Sequence, residues 1–171
     1  MYSRKLAGLL NLVFLIFVAC VLANCSWFSK TPSKYIYKPE GIKISFTAES
    51  DLNYYDDDSH SVMVVVYQLN TINSFHQLAI DSVGTNKLLM ANKFDSTVVG
   101  VDSKFVFPNE SGEFKIDRME NAQWIGIVVG YYKGTPTQIT KEFETPKYDD
   151  EVLKVKVRLN DNSIREVKLD D

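Results

Sequence analysis

Cysteine and histidine are scarce in this sequence of 171 residues, which contains two of each. Cys20 and Cys25 both lie near the N terminus, so a domain that follows them contains no disulfide bond. His60 and His76 therefore have no cysteine in the folded part with which to form a metal site. The sequence also lacks a Gly-x-Ser-x-Gly elbow and a glycine-rich phosphate loop. We expect no catalytic site and no cofactor, and we expect structural or surface roles for both histidines.

Basic residues do not outnumber acidic ones, since the formal net charge is −3. A nucleic-acid-binding protein would need a basic stripe, so the sequence argues against a nucleic-acid partner. Residues 56–58 are three consecutive aspartates and raise the question of a calcium site. They lack the alternating ligands and the glycine of a hand-type calcium loop, and we interpret them as a solvated acidic loop.

The longest apolar run, residues 6–23, follows Arg4 and Lys5 and ends just before Cys25. A short basic segment, an apolar segment and a cysteine at the exit predict a bacterial lipoprotein signal, in which the cysteine thiol receives the lipid. The alternative is a signal anchor that stays in the bilayer, although a run of about 18 residues is near the lower limit for spanning one. We expect the mature chain to be lipid-anchored outside the cytoplasm.

Two cysteines compete for the lipid. Cys25 follows a leucine and an alanine and precedes a polar tether, although Asn24 stands where a small residue is usual. Cys20 follows Ala19, which fits better, but it would leave an apolar start to the mature chain. We favour Cys25. The predicted organisation is a signal peptide at 1–24, a tether at 25–40 and one domain at 41–171.

Short β-type segments separated by turn residues dominate the chain after the tether. The segment 62–69 is almost entirely apolar, which predicts a central strand covered on both faces. Apolar and charged residues alternate on either side of a polar turn near the C terminus, which predicts a hairpin at about 152–169. The other predicted strands are 42–46, 97–101, 104–107, 113–116 and 124–132. This pattern predicts a mainly β, two-sheet sandwich with Tyr67 and Trp124 in its core.

One short helix is predicted after the second strand. Ser74 can cap it and Gly84 can end it. Ile80 and Val83 are expected to extend its apolar face toward the sheet. Residues 88–90 follow too closely for a second long helix, and they are interpreted as a packed connector.

The order of these elements resembles the type VI secretion lipoprotein family TssJ, also called SciN or VasD. A lipoprotein signal, a first strand and an acidic loop are followed by an apolar run that ends Tyr-Gln-Leu at 67–69, and then by Phe75 on a short helix. The apolar strand at 124–132, which ends in aromatic residues, resembles a late strand of the family. The resemblance rests on this succession and not on a single motif.

The resemblance implies a transthyretin-like sandwich anchored to the inner, periplasmic face of the outer membrane. It also implies binding to the periplasmic C-terminal region of the inner-membrane protein TssM, in a complex that also contains TssL. In the family, the loop between the first two strands contacts TssM, and that loop is 51–61 in this sequence. Its tyrosines are candidate apolar anchors and its aspartates are candidates for steering a basic patch. The candidate contact residues are Asn53, Tyr54, Tyr55, Asp56, Asp57 and Asp58.

A second hypothesis is a periplasmic carrier or sensor that binds a small ligand between its sheets. Such a protein needs a cavity lined by convergent polar groups. Val64, Val66, Ile127 and Val129 predict a closed apolar core instead, so the sequence favours a non-catalytic adaptor of a secretion complex.

Overall fold

A computed structural model describes residues 35–146 and 151–170 of the chain. The predicted signal peptide, both cysteines and most of the predicted tether lie outside these residues. No helix within the described ranges is long and apolar enough to cross a membrane. The elements formed by these residues are β1 (Lys38–Ala48), β2 (Val62–Leu69), α1 (Asn73–Leu78), α2 (Ser82–Leu89), β3 (Val98–Val106), β4 (Ser111–Arg118), β5 (Trp124–Val129), α3 (Pro136–Ile139), β6 (Thr140–Glu144), β7 (Leu153–Leu159) and β8 (Ile164–Asp170).

The strands form two four-stranded sheets that pack face to face. The first sheet has the strand order β4-β1-β7-β8, and the second has the order β3-β2-β5-β6. Neighbouring strands are antiparallel, except for β1 and β7, which are parallel. Buried residues from both sheets form one apolar core between them. The predicted two-sheet sandwich is therefore confirmed.

Strand β2 runs through the middle of the second sheet, as its sequence predicts. Val64 and Val66 point into the core between the sheets. Val65 and Tyr67 are equally buried, because α1 and α2 cover the outer face of this sheet. Trp124, on the neighbouring strand β5, is partly buried against the same outer cluster. A strand between two apolar layers has no polar face, which explains the nearly continuous apolar run.

The single helix predicted after β2 is in fact two helices, α1 and α2. Asp81 begins α2, because its side chain accepts a hydrogen bond from the backbone N–H of Gly84 at 2.7 Å. Gly84 therefore lies inside α2 instead of ending α1, and the residue that caps α1 is Ile72, not Ser74. A Cβ atom on Gly84 would lie only 2.1 Å from the carbonyl oxygen of Leu78. Glycine is required there because the two helices approach so closely.

The apolar residues around α2 also differ from the prediction. Ile80 and Val83 are exposed and do not face the sheet. Leu88, which the sequence predicts to lie in a connector, is fully buried in the last turn of α2. Its carbonyl oxygen accepts a hydrogen bond from the hydroxyl of Tyr67 at 2.6 Å. Because α2 begins anew at Asp81, its residues do not continue the helical period of α1. Ile80 and Val83 therefore do not lie on the apolar face of α1.

The main differences from the predicted strand boundaries concern β1, β3 and β5. Strand β1 begins at Lys38, inside the predicted tether, and a register shift between Lys38 and Ile42 lets the earlier residue pair with β4. The predicted strands 97–101 and 104–107 form one continuous strand, β3, because the residues between them also pair with β2. Strand β5 ends at Val129, so the two tyrosines that follow belong to a loop.

The predicted C-terminal hairpin is confirmed as β7 and β8. The side-chain oxygen of Asn160 accepts hydrogen bonds from the backbone N–H and the hydroxyl of Ser163, at 3.0 and 2.7 Å, and this closes the turn. Strand β7 lies between β1 and β8, where Val155 and Val157 join the core. The hairpin is thus an integral half of the first sheet.

Candidate functional site

The loop between β1 and β2, residues 49–61, forms hydrogen bonds with two other loops at one end of the sandwich. The backbone oxygen of Glu49 accepts a hydrogen bond from the N–H of Asn109, in the β3–β4 turn. The side-chain oxygen of Asn53 accepts one from the N–H of Tyr132, just after β5, at 2.8 Å. These hydrogen bonds hold the β1–β2 loop, the β3–β4 turn and the loop after β5 together in one surface.

The tip of the β1–β2 loop is a tight turn built on two aspartates. Tyr55 and Asp58 pair through two backbone hydrogen bonds of 3.0 and 3.1 Å. Between them, Asp56 and Asp57 have φ angles of 50° and 63°, the left-handed conformation of a type I′ turn. Aspartate enters this conformation more readily than most residues, because its short polar side chain can hydrogen-bond locally. The acidic run is therefore an ordered turn whose three carboxylates face solvent.

Three aromatic rings stack beside this turn. The ring of Tyr55 lies between those of His60 and Tyr132, with centroid distances of 3.8 and 4.3 Å. Tyr132 is 68% exposed and the nearby Tyr54 is 49% exposed. Aromatic side chains offer a large contact area at a small cost in conformational entropy. The surface thus places apolar rings directly beside negative charge.

Asn53, one of the predicted contact residues, is buried and supports the loop. Its Oδ1 accepts the hydrogen bond from Tyr132, and its Nδ2 donates one to the backbone oxygen of Ser61 at 3.4 Å. Only 6% of Asn53 is exposed, and the preceding Leu52 is fully buried. A residue this buried offers almost no contact area, so the exposed candidates are Tyr54 and the three aspartates. Tyr55 is partly covered by the stack.

Sequence reasoning missed the contribution of Tyr131 and Tyr132, which it assigned to the end of a strand. Tyr131 is buried, and its hydroxyl donates a hydrogen bond to the backbone oxygen of Ser163 at 2.8 Å, which ties this loop to the C-terminal hairpin. Burial raises the pKa of the Tyr131 hydroxyl well above its ordinary value, so the group stays protonated. The available signal was Gly130 followed by two tyrosines and a turn cluster. His60, expected to be structural or on the surface, is the third ring of the stack.

The chemistry of this surface suits protein recognition. In the described part of the chain, no group of three or more His, Cys, Asp or Glu side chains is placed to hold a metal ion. Between the sheets, Val64, Val66, Ile127 and Val129 are each at most 2% exposed, and they fill the centre of the sandwich. Exposed rings of this kind can anchor a protein partner, and neighbouring carboxylates can steer a partner that carries a basic patch.

Comparison with known proteins identifies the family. The family model for type VI secretion lipoproteins, which include VasD, EvfM and TssJ, matches residues 40–162. The chain belongs to this family. The resemblance to TssJ in the sequence is therefore confirmed, and with it the description of the chain as a type VI secretion lipoprotein. No curated protein is significantly similar to it in sequence.

Solved structures share the fold of this TssJ family member. The lipoprotein TssJ1 from Pseudomonas aeruginosa is 14% identical and has a TM-score of 0.61, over 82% of this chain and 98% of that one. Serratia marcescens Lip, a membrane-bound component of the type VI secretion system, is 13% identical with a TM-score of 0.58, over 76% and 96%. A chain in the structure of the TssM C-terminal domain from EAEC is 14% identical with a TM-score of 0.55, over 76% and 97%.

Proposed function

We propose that this chain is a lipid-anchored, non-catalytic component of the type VI secretion membrane complex, and that it tethers TssM to the outer membrane. The observation that carries the proposal is the β1–β2 loop, whose rigid turn presents carboxylates beside an aromatic stack. The partner is the periplasmic C-terminal region of TssM, in a complex that also contains TssL. Family membership supports this role, and the fold is shared with chains in structures of a TssM domain and of a type VI membrane complex.

The two halves of the loop surface have different tasks in this proposal. Tyr54 and Tyr132 are the anchors, because exposed tyrosines that become buried supply much of the binding energy of an interface. Asp56, Asp57 and Asp58 attract a basic patch on TssM and speed the encounter, which makes association dependent on salt. Tyr55 acts through its stacking contacts and fixes the position of the Tyr132 ring.

Isothermal titration calorimetry of the soluble chain from residue 26 onward with the periplasmic part of TssM tests the anchors. Replacing Tyr54 and Tyr132 with alanine should weaken binding by more than about 2 kcal/mol. Val83→Ala is the matched control, because Val83 is 81% exposed and belongs to α2 and not to the β1–β2 loop, so its truncation should leave the affinity unchanged. Circular dichroism shows whether each variant keeps its fold.

Stopped-flow association kinetics test the steering. Replacing Asp56, Asp57 and Asp58 with asparagine should slow association and flatten its salt dependence, while dissociation changes little. Asparagine also accepts left-handed backbone conformations, so the turn should persist. If a folded variant without residues 54–58 binds TssM with full affinity, the contact surface lies elsewhere and the proposal is wrong.

The membrane anchor in this proposal is a lipid on Cys25, with Cys20 as the alternative. A tether at 25–40 then joins the lipid to the sandwich, after removal of a signal peptide at 1–24. Ser26 follows the cysteine in place of the aspartate that retains lipoproteins in the inner membrane, so we expect the periplasmic face of the outer membrane. Mass spectrometry of the mature N-terminal peptide and membrane fractionation test both points. A lipidated peptide that begins at Cys20, an uncleaved N terminus, or an inner-membrane location would contradict the corresponding part.

A further inference from the structure

Strand β3 is an open edge of the second sheet and presents large apolar side chains to solvent. The strand order β3-β2-β5-β6 puts β3 at the edge, and among the described residues no strand pairs with its free side. Phe105, on the outer face of β3, and Phe107, just beyond its end, are each 59% exposed. An exposed edge strand with apolar side chains is a template for pairing with another strand. This edge therefore needs either protection or a partner.

The side chains on the inner side of β3 are charged, which is a common way to protect an edge strand. Asp102 and Lys104 point to the inner side of the sheet, because their partners on β2 are core residues. A single inward charge prevents pairing, since an added strand would bury it without a counter-charge. These two charges are opposite in sign and two residues apart. One register of β3 against a second β3 therefore pairs both of them.

The present contacts of these two charges leave room for a further partner. Lys104 Nζ lies 3.9 Å from a carboxylate oxygen of Glu110 and 5.5 Å from the centre of the Phe46 ring, so neither contact is a close hydrogen bond. Burial and the negative charge of Asp117 raise the pKa of the Asp102 carboxyl. A cation placed next to Asp102 would therefore stabilise its charged form.

We infer that β3 pairs antiparallel with β3 of a second copy of this chain, with the two-fold axis at Ser103. In this register, Asp102 of each copy lies opposite Lys104 of the other, on the inner side of the joined sheet. On the outer side, Val101 lies opposite Phe105, and the two Ser103 side chains meet at the axis. Opposite charges, an aromatic ring with a β-branched residue, and paired hydroxyls are all favourable cross-strand pairs. A self-complementary patch at a two-fold axis is what a closed dimer requires.

The charges also fix the register of this pairing. Moving the axis by one residue puts Asp102 opposite Asp102, or Lys104 opposite Lys104, and like charges directly opposite are destabilising. Moving the axis by two residues puts both charges opposite apolar residues or glycine. Only the register centred on Ser103 gives every residue from Val101 to Phe105 a suitable partner.

Opposite charges two residues apart also occur on the edge strands β4 and β8, but there each charge already forms a close ion pair within the chain. These pairs are Lys43–Glu113, Glu40–Lys115 and Glu166–Lys168. The described residues of β4 and β8 also include no aromatic side chain as exposed as Phe105. The exposed ring and the incompletely paired charges thus coincide on β3.

The dimer leaves the β1–β2 loop of each copy free. That loop ends at Val62, which pairs with Val106 at the C-terminal end of β3. Because the two β3 strands run antiparallel, the two β1–β2 loops lie at opposite ends of the dimer. The inference does not rest on TssM binding. Taken together with the proposed function, it predicts that one dimer bridges two TssM molecules.

A disulfide cross-link tests the contact in the full lipoprotein in isolated membranes. Directly opposed residues of antiparallel strands have Cα atoms about 4.5–5.5 Å apart, a distance that a disulfide spans. Ser103→Cys should therefore give an oxidised dimer at twice the monomer mass on a non-reducing gel, above the background set by the wild type. Glu142→Cys is the matched control, because Glu142 is exposed on β6, the opposite edge of the same sheet, and should not cross-link. Absence of the Ser103→Cys dimer, or equal cross-linking of the control, overturns the inference.

Charge exchange tests the register by rescue. Asp102→Lys and Lys104→Asp each create two like-charge pairs across the axis, and each should weaken self-association at least about tenfold in sedimentation equilibrium of the detergent-solubilised lipoprotein. An equal mixture of the two variants forms heterodimers with both opposite-charge pairs and should recover the wild-type association constant. Glu142→Lys makes the same charge change on β6 and should have no effect. Circular dichroism verifies that each variant is folded. Folded single variants that associate like the wild type, or a mixture that does not recover, contradict the inferred register and with it the dimer.

Discussion

The buried amide of Asn53 holds the β1–β2 loop in place, and its removal should both loosen the loop and destabilise the fold. Asn53 has a φ angle of 49° and bonds the loop to Tyr132 and to Ser61. Asn53→Ala removes the acceptor for the partly buried N–H of Tyr132 and the donor to Ser61. It also places alanine, which has a Cβ atom but no polar side chain, in the left-handed backbone conformation.

The size of the effect follows from these two losses. A buried N–H without an acceptor costs about 1–3 kcal/mol, and alanine in the left-handed conformation costs about 1–2 kcal/mol. Because the two effects overlap, we expect Asn53→Ala to lower the free energy of unfolding by about 2–4 kcal/mol, a large part of the 5–15 kcal/mol typical of a domain. Asn53→Asp keeps the acceptor and should cost less.

Chemical denaturation and amide hydrogen exchange measure the two effects separately. Asn53→Gly is the informative comparison, because glycine relieves the backbone strain but still lacks the side-chain bonds. It should fall between wild type and Asn53→Ala in stability. The N–H of Tyr132 should exchange faster in both variants, since its acceptor is absent. An Asn53→Ala protein with an unchanged denaturation midpoint and a still-protected Tyr132 amide would refute the reasoning.

Three further predictions concern the layers around β2. Tyr67→Phe removes the hydrogen bond from the hydroxyl to the carbonyl oxygen of Leu88, which still accepts one from the N–H of Ala91, so the variant should lose about 0.5–1.5 kcal/mol of unfolding free energy by denaturation; an unchanged midpoint would mean that water replaces the bond. Gly84→Ala should lower the melting temperature although alanine has the higher helix propensity, because the new Cβ atom would clash with the α1 backbone at Leu78. The control Asn86→Ala, at an exposed position of α2, should not lower it. Burial raises the pKa of Asp102, so the folded state disfavours its charged form. Asp102→Asn should therefore be more stable than wild type at neutral pH, with the difference shrinking as the pH falls through the raised pKa; a constant difference would contradict this.

Local patterns in the sequence predicted most of the fold. The alternation in β7 and β8 and the turn at Asn160 identify the hairpin, because strand period and turn chemistry are properties of neighbouring residues. The apolar run of β2 likewise indicates a strand covered on both faces. The prediction of a single helix after β2 was wrong for a related reason. Gly84 looks like the end of one helix in sequence, and only the contact of Gly84 with Leu78 reveals two packed helices.

The sequence located the candidate site, and the structure decided which of its residues are buried and which are exposed. The acidic run and its tyrosines mark the β1–β2 loop in the sequence alone. Nothing in the sequence distinguishes Asn53, which is buried, from Tyr54, which is exposed, because burial depends on the loop folding back over the sandwich. Tyr132, in the loop after β5, contacts Tyr55 although the two residues are far apart in the chain, and no local pattern predicts such a contact.

The sequence by itself determined the family, the β-sandwich and the closed apolar core, because these follow from residue order and from hydrophobic periodicity. Only the tertiary structure decided that β7 lies parallel to β1, and that choice brings the lysines of four strands onto one face. It also decided which loop residues are buried and hold the loop in place, and which are exposed to solvent. Both outcomes depend on contacts between segments distant in sequence, and the free energy of those contacts appears only when the two sheets are assembled.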